Sequence, residues 1–378
     1  MKILFLTESL DGLGGWGRYS LDLLSALEKR GVGVSVIATE PTAKAIKGTI
    51  YPYLPVKALR FNLLLSGAWA WFWALLIFLR LKLAGVSLSD FDLIYCIVES
   101  YLPITERLAR LAGKPYLGTI HGTYGVKPFR AKRQGRIFAR AMASATQIIC
   151  VSHYTKDRLA EFVDATKFVV IPNGIKTAGI VASSPAEISA RANLILSVGA
   201  LKERKAQHLL LAALPTLRQS FPDLKCVLVA GASKGAYGEK IKGLVADSRL
   251  GDYVTIKEKI SDQELDQLYR VAKVFVLLPV SEADNFEGFG LVYLEANLRA
   301  VPVIGAFGSG AEEAIAPEQS GFLVDTNKPE ELVRRLKLLL SDSGQYSHLC
   351  QSARDWALEH DIDLMAKRYL ELFKTIKV

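Results

Sequence analysis

The amino-acid sequence predicts an α/β protein made of two similar doubly wound domains, and three observations carry that expectation. Its 378 residues exceed what a single hydrophobic core ordinarily serves. Short apolar runs alternate with amphipathic stretches, the order that builds parallel sheets with helices on both faces. The alternation then restarts after Ser183-Ser184-Pro185, which reads as a linker. A restart fits two copies of one layered plan better than one long sheet.

In the first half, strands are expected at 2–7, 34–39, 92–98, 116–120, 147–151 and 168–171. A glycine loop, Gly12-Leu13-Gly14-Gly15-Trp16-Gly17, follows the first strand. The helix after it, 18–30, carries Leu21, Leu24 and Leu27 on one face and stops at Gly31. The second half offers strands at 194–198, 224–230, 253–257, 274–278 and 301–305, with a helix at 207–219. Ser261 caps a further helix whose first turn holds Asp262 and Glu264. A last helical pattern spans 352–374. The expected domains are 1–180 and 186–354, with 355–378 packing back on the first.

Composition places the chain among folded globular proteins: 50% of it is hydrophobic and 22% charged. The start, Met1-Lys2-Ile3-Leu4-Phe5-Leu6, lacks the apolar core and cleavage site of a signal peptide, so a cytoplasmic location is expected, peripheral on the inner membrane face if the first half docks there. Cys96, Cys150, Cys226 and Cys350 are scattered and read as buried reduced thiols. Charge is uneven. Residues 1–176 hold 23 Lys and Arg against 12 Asp and Glu, a net +11, which leaves −2 for the remainder. That asymmetry suits an anionic partner such as a membrane surface or a phosphorylated acceptor. Nucleic acid is not expected, because no recognition motif accompanies the charge.

The segment 61–79 is nearly all apolar, contains Trp69, Trp71 and Trp73, and is flanked by Arg60 and Arg80. Its length suits a membrane span, but a single crossing would separate strands that should pair in one sheet. Two readings remain, a buried helix covering the sheet or a helix lying in a membrane interface with its tryptophans at headgroup depth. Lys127, Arg130, Lys132, Arg133, Arg136 and Arg140 form a basic run interleaved with Phe129, Ile137 and Phe138. It reads either as a solvated helix face or as a surface for anionic headgroups and acceptor phosphates.

The densest motif is Pro279-Val280-Ser281 followed by Phe286-Glu287-Gly288-Phe289-Gly290-Leu291-Val292-Tyr293-Leu294-Glu295. A strand ends before it and a helix opens at about Gly290, where bare glycines and free N–H groups suit a phosphate. Eight residues separate Glu287 from Glu295. On a helix that spacing turns them by about 80°, so one crevice can receive both. Carboxylates accept paired hydroxyls, as sugar and ribose recognition requires. Ser197-Val198-Gly199-Ala200-Leu201-Lys202-Glu203-Arg204-Lys205 sets a basic turn after a strand, and Thr119-Ile120-His121-Gly122 sets a histidine at a strand's C-terminal end.

Taken in order, these motifs resemble the retaining glycosyltransferases of family 4, over nearly the whole chain. The resemblance implies the GT-B fold, two Rossmann-like domains facing each other across a cleft. It implies that Glu287 contacts the sugar hydroxyls, Glu295 the nucleotide ribose and Lys205 the donor phosphates. Gly199, Gly288, Phe289, Gly290 and Leu291 would line the donor, and Gly15 would reach its phosphate from the first half. His121 would lie beside the transferred sugar. Asn173 and Gly174, in Ile171-Pro172-Asn173-Gly174, form a turn at the interdomain crossing, and Ser320-Gly321-Phe322-Leu323-Val324 resembles a closing hairpin. One departure stands out. Family members commonly carry Arg after the first glycine, where this chain has Ala200, so Arg204 or Lys202 would supply the second charge.

The implied activity is metal-independent transfer of a hexose or N-acetylhexosamine from a nucleotide-sugar, with a UDP-sugar first and GDP-mannose second. The nucleotide-sugar is a co-substrate, and no metal or other cofactor is expected. The acceptor would be a lipid-linked or surface-glycan precursor of the cell envelope. The competing enzyme reading, a metal-dependent single-domain transferase, rests on Asp90-Phe91-Asp92, but that pair precedes its strand and reads as a strand start. An epimerase or a phosphorylase shares the fold. From another class, the chain could be a degenerate GT-B scaffold at a membrane surface, which Ala200 favours.

Overall fold

The computed structural model describes residues 1–10, 15–40, 46–55, 67–231, 235–247, 250–341 and 343–376. The chain folds as two compact units, Met1–Lys176 with Ile362–Val378, and Thr177–Asp361.

Among the described residues, the first unit holds a seven-stranded sheet in the order β3-β2-β1-β4-β5-β6-β7. Its strands are β1 (Lys2–Leu6), β2 (Gly33–Ile37), β3 (Thr49–Tyr51), β4 (Leu93–Cys96), β5 (Tyr116–Ile120), β6 (Gln147–Cys150) and β7 (Phe168–Val170). Every pairing is parallel. Parallel strands are covered on both faces, which is why β4 and β1 after Lys2 read as apolar runs and why every residue of β5 is buried. The strand order reverses beside β1, between β2 and β4, and that reversal opens a crevice at the C-terminal edge. β3 has no counterpart in the sequence reading, since its three residues, Thr49-Ile50-Tyr51, are too few to show a period.

Four labelled helices of the first unit matter for the site: α1 (Gly15–Lys29), α2 (Gly67–Leu83), α3 (Leu102–Ala112) and α4 (Lys132–Ser144). α2 packs on α3, and α3 on α4. The buried line of α2 is Ala70, Ala74, Ile77 and Leu81. Spacings of four, three and four residues put them on one face. The opposite face is exposed and still apolar, with Phe72 at 52%, Leu75 at 48%, Leu79 at 46% and Leu83 at 88% of full exposure. Asp92 accepts the backbone N–H of Lys2 at 2.7 Å, at the N-terminal edge of the sheet. That is a strand start, at the edge opposite the crevice.

The second unit repeats the plan with a six-stranded parallel sheet among the described residues, β10-β9-β8-β11-β12-β13. The strands are β8 (Leu194–Val198), β9 (Lys225–Ala230), β10 (Val254–Glu258), β11 (Val274–Val276), β12 (Val303–Ala306) and β13 (Gly321–Val324). β13 corrects the expected closing hairpin: it pairs with β12 in parallel register, Val303 opposite Gly321. The Gly308-Ser309-Gly310 turn and a short helix, Ala311–Ala314, provide the crossover a parallel pair needs. Helices α5 (Gln207–Ser220), α6 (Asp262–Val271), α7 (Leu291–Leu298) and α8 (Ser343–Leu358) cover this sheet. The expected linker also begins inside this unit, where Ser184 and Glu187 form a capping box on the short helix Pro185–Ser189.

The last helix, α9 (Ile362–Lys374), joins the first unit. The return therefore starts at Ile362, later than the expected residue 355. Residues 355–361 stay with the second unit, where the Trp356 indole donates to the Ala314 carbonyl at 3.0 Å. In the first unit α9 packs on α1 and buries Met365, Tyr369 and Phe373. The hydroxyls of Tyr369 and Tyr19 lie 2.8 Å apart, and the Tyr369 ring packs on Tyr95 of β4. Arg30 pairs with Asp363 at 2.9 Å at the rim. All four cysteines are buried thiols, and burial pushes the Cys96 and Cys226 thiols up to about 12.

Tyr369→Ala should cost about 3–5 kcal/mol in the unfolding of the first unit, as large-to-small changes at buried rings do. Tyr369→Phe keeps the ring and should cost about 1 kcal/mol, the net worth of a hydrogen bond. Urea denaturation of the two variants measures both.

Candidate active site

In the second sheet the strand order reverses beside β8, between β9 and β11, so the loops leaving β8 and β11 share one crevice. The β8 loop runs from Gly199 to a single turn, Glu203–Lys205, before α5. Lys205 is 8% exposed, and its stem lies along Gly199, where an added Cβ would meet Cε at 3.8 Å. The β11 loop is stitched to it: Val280 N–H donates to the Arg204 carbonyl at 2.9 Å. Further along, Gly310 N–H donates to the Glu287 carbonyl at 2.9 Å. Only glycine fits there, because a Cβ on Gly310 would fall 2.1 Å from the Gly288 oxygen. Phe286 and Phe289 are buried on either side of Glu287 and anchor the loop by their rings. Gly290, at φ +91°, then turns the chain into α7, and the Tyr293 hydroxyl ties that helix to the Leu277 carbonyl at 2.8 Å.

These two loops bring three charges together. Lys205 Nζ lies 2.5 Å and Arg204 Nη1 2.6 Å from the same oxygen, Oε2 of Glu287. Burial works against a charged Glu287, but the Lys205 ammonium and the Arg204 guanidinium override it and hold the carboxyl at about 2. Burial lowers the pKa of Lys205, and Glu287 opposes that shift. The cluster carries two cations and one anion, a net positive site with little water around it. Low hydration strengthens its attraction for an anion, and the first N–H groups of α7 open beside Gly290.

Glu287 sits in the loop four residues ahead of α7, so the helical-wheel relation to Glu295 does not apply. What aims Glu287 is the pull of the β8 cations together with the Gly310 turn. Glu295 lies inside α7, half-buried, and its Oε2 accepts the Tyr269 hydroxyl at 3.0 Å. Arg204 occupies a place at Glu287, so the second cation arrives four residues after Ala200, on the same loop. Tyr269, the partner of Glu295, is not singled out by the sequence, since a tyrosine on the inner face of a helix reads as core.

In the first unit, His121 follows β5 and is half-buried. Its Nε2 donates to the Ile97 carbonyl at 2.9 Å, which fixes the tautomer, and its ring meets Tyr19 edge-on at 4.7 Å. Gly15 opens α1 with open space where a side chain would be, whereas Gly12 and Gly14 lie outside the described residues. Lys132, Arg133, Arg136 and Arg140 are exposed along α4, with Arg130 exposed just ahead of it, and Lys127 rides over the Tyr124 ring. The three tryptophans do not share a face. Trp71 is exposed, but Trp69 and Trp73 are half-buried with their indole nitrogens shielded, because they flank the line that packs on α3. Residues 61–66 of that apolar segment lie outside the described residues.

Comparison with known proteins agrees with this layout. The model of glycosyltransferase family 4 matches residues 13–178, and that of glycosyl transferases group 1 matches 182–356. The GDP-mannose-dependent alpha-(1-6)-phosphatidylinositol monomannoside mannosyltransferase of Mycolicibacterium smegmatis is 27% identical over 57% of this chain and 58% of its own. The D-inositol 3-phosphate glycosyltransferase of Corynebacterium urealyticum is 31% identical over 49% of this chain and 43% of its own. The chain thus spans about half the length of these relatives. Among solved structures, Anabaena Alr3699/HepE in complex with UDP and glucose is 21% identical, covers 100% of both chains and has a TM-score of 0.78. The two parallel Rossmann-like sheets are those of the GT-B fold, and the two family models follow one another along them in order. The chain belongs to glycosyltransferase family 4.

Proposed function

We propose that this chain transfers a hexose, with retention at the anomeric carbon, from a nucleoside diphosphate donor held by the second unit. The single observation that carries this reading is Glu287 clasped by Lys205 and Arg204 at the ends of β8 and β11. A donor diphosphate draws both cations to itself, which frees the Glu287 carboxylate for sugar hydroxyls. Glu295 takes the ribose. In the transfer, the acceptor hydroxyl oxygen bonds to the anomeric carbon as the bond to the diphosphate oxygen breaks. The electron pair leaves with the diphosphate, which takes the hydroxyl proton on the same face. Lys205 and Arg204 stabilise the charge that grows on the leaving group, so they act on the transition state and need no metal. Arg204 in place of the usual arginine answers the one feature that favoured an inactive scaffold.

GDP-mannose and UDP-glucose are the donors to test first, the one named in a relative and the other bound in a structural neighbour. The acceptor is read as an anionic glycan or lipid-linked precursor, because charge separates by unit. The first unit holds 27 basic and 14 acidic residues, a net +13, and the second 20 and 24, a net −4. The acceptors named for the two relatives, a phosphatidylinositol mannoside and inositol 3-phosphate, carry phosphate too. The docking surface for an anionic membrane is the outer face of α2, revised to Trp71, Phe72, Leu75, Leu79 and Leu83. Arg80 and Lys82 end that helix, and the Arg110 guanidinium lies 5.9 Å from the Trp71 ring. No described helix is long and apolar enough to cross a membrane, and a helix with one apolar face free is suited to lying on one.

Lys205→Ala and Arg204→Ala should each lower kcat about a hundredfold or more, the scale for losing one transition-state donor, while activity survives a chelator. Wild-type turnover of both donors tests this; full activity in either variant removes the assignment. Because the Glu287 carboxyl is held at about 2 against an ordinary 4.5, its ionic contacts stabilise the fold above pH 4.5 and are lost as pH falls towards 2. Thermal unfolding followed from about pH 6 to 2.5 should show a shallower acid decline for Glu287→Gln than for wild type. On the membrane surface, wild type should sediment with phosphatidylglycerol vesicles, less so as salt rises. Leu75→Glu with Leu79→Glu should abolish sedimentation without lowering the unfolding temperature.

A further inference from the structure

Glu295 is held by more than its own helix. Its Oε2 accepts the hydroxyl of Tyr269, a residue of α6 that is 1% exposed. The Tyr269 ring lies against Phe275 of β11 on one side, and the Arg299 guanidinium sits 5.1 Å from its centre. Arg299, at the end of α7, donates Nη1 to the Glu295 carbonyl at 2.8 Å. Its Nε and Nη2 both reach Oδ1 of Asp266 at 2.7 Å, one turn before Tyr269 on α6. The other Asp266 oxygen takes Arg270 Nε at 2.7 Å.

A second brace closes the same pair of helices. Arg191 is 7% exposed and donates to the carbonyls of Arg270, Arg299 and Ala300 at 3.0, 2.7 and 2.6 Å. Those carbonyls lie at the C-terminal ends of α6 and α7, where helices leave acceptors unfilled. With both helix ends clamped, the Tyr269 hydroxyl is held against a single oxygen of Glu295.

We propose that Tyr269 is a positioning residue of the donor site, whose hydroxyl fixes the carboxylate plane of Glu295 for two-point recognition of a ribose diol. This rests on the reading of Glu295 as the ribose ligand. One carboxylate oxygen is oriented by an uncharged donor, so Oε1 and the remaining lone pair of Oε2 stay available to adjacent hydroxyls. A carboxylate free to rotate would meet the same diol in many orientations, and much of the contact would be lost to ordering it.

Calorimetric titration of the full chain with UDP and GDP, and with their 2′-deoxy forms, tests this in wild type, Tyr269→Phe and Glu295→Ala. Phenylalanine keeps the ring that packs on Phe275 and Arg299. The expected result is a ribonucleotide affinity about three- to tenfold weaker in Tyr269→Phe, the scale of the net worth of one typical hydrogen bond, with 2′-deoxy affinity unchanged. Glu295→Ala should erase the ribose preference altogether. If Tyr269→Phe keeps the wild-type preference while Glu295→Ala loses it, the positioning role is overturned and the ribose assignment stands. A preference that survives Glu295→Ala, or wild type that binds neither nucleotide, overturns the ribose assignment and this inference with it.

Discussion

A carboxylate shared by two cations is the interaction around which the β8 and β11 loops of the second unit are arranged. Glu287 stands in a poorly hydrated loop, and no isolated carboxylate would stay charged there cheaply. Lys205 and Arg204, 2.5 and 2.6 Å away, keep it ionised, and it in turn holds two cations close together. Such a buried cluster is weak support for stability, since an apolar replacement of the same shape often serves a fold as well. Its value lies in preorganisation. Two cations already stand side by side before any anion arrives, so on the proposed reading a donor diphosphate has only to draw them from Glu287 to itself.

Topology decides where that cluster forms. β8 and β11 are neighbours in the sheet but not in the chain, so the loops that leave them point into one crevice although two other strands and their helices intervene in the sequence. Lys205 and Glu287 are 82 residues apart and become partners only because the sheet is doubly wound. The glycines act as clearances in this assembly. Gly310 lets the Glu287 loop lie against the next turn, and Gly290 lets α7 start over the Tyr293 ring.

Much of this is legible in the residues themselves. Buried parallel strands betray themselves as short apolar runs, and twelve of the strands seen here have such a run or motif in the sequence. β3 escapes because three residues cannot show a period, and β13 misleads because a four-residue strand does not reveal its direction. Spacing and glycines single out the acidic pair, but a common helix face is the wrong reason for it: Glu287 is outside α7. Composition also hides the orientation of α2. A helix apolar all round carries no signal for which face is covered, so Trp69 and Trp73 look equivalent to Trp71 until packing on α3 separates them. Arg204 and Lys202 look equivalent as replacements for the missing arginine; the turn at 203–205 aims Arg204 at Glu287. Tyr269 has no signal at all, because its contact with Glu295 crosses between helices.

The central claim is that Lys205 and Arg204 leave Glu287 for the diphosphate of a donor. A crystal structure of the chain grown with GDP-mannose or UDP-glucose measures this directly. The account predicts diphosphate oxygens within hydrogen-bond reach of both cations and a Glu287 carboxylate turned to the sugar. A bound nucleotide whose phosphates lie away from Lys205 and Arg204, with the ionic cluster undisturbed, would contradict it.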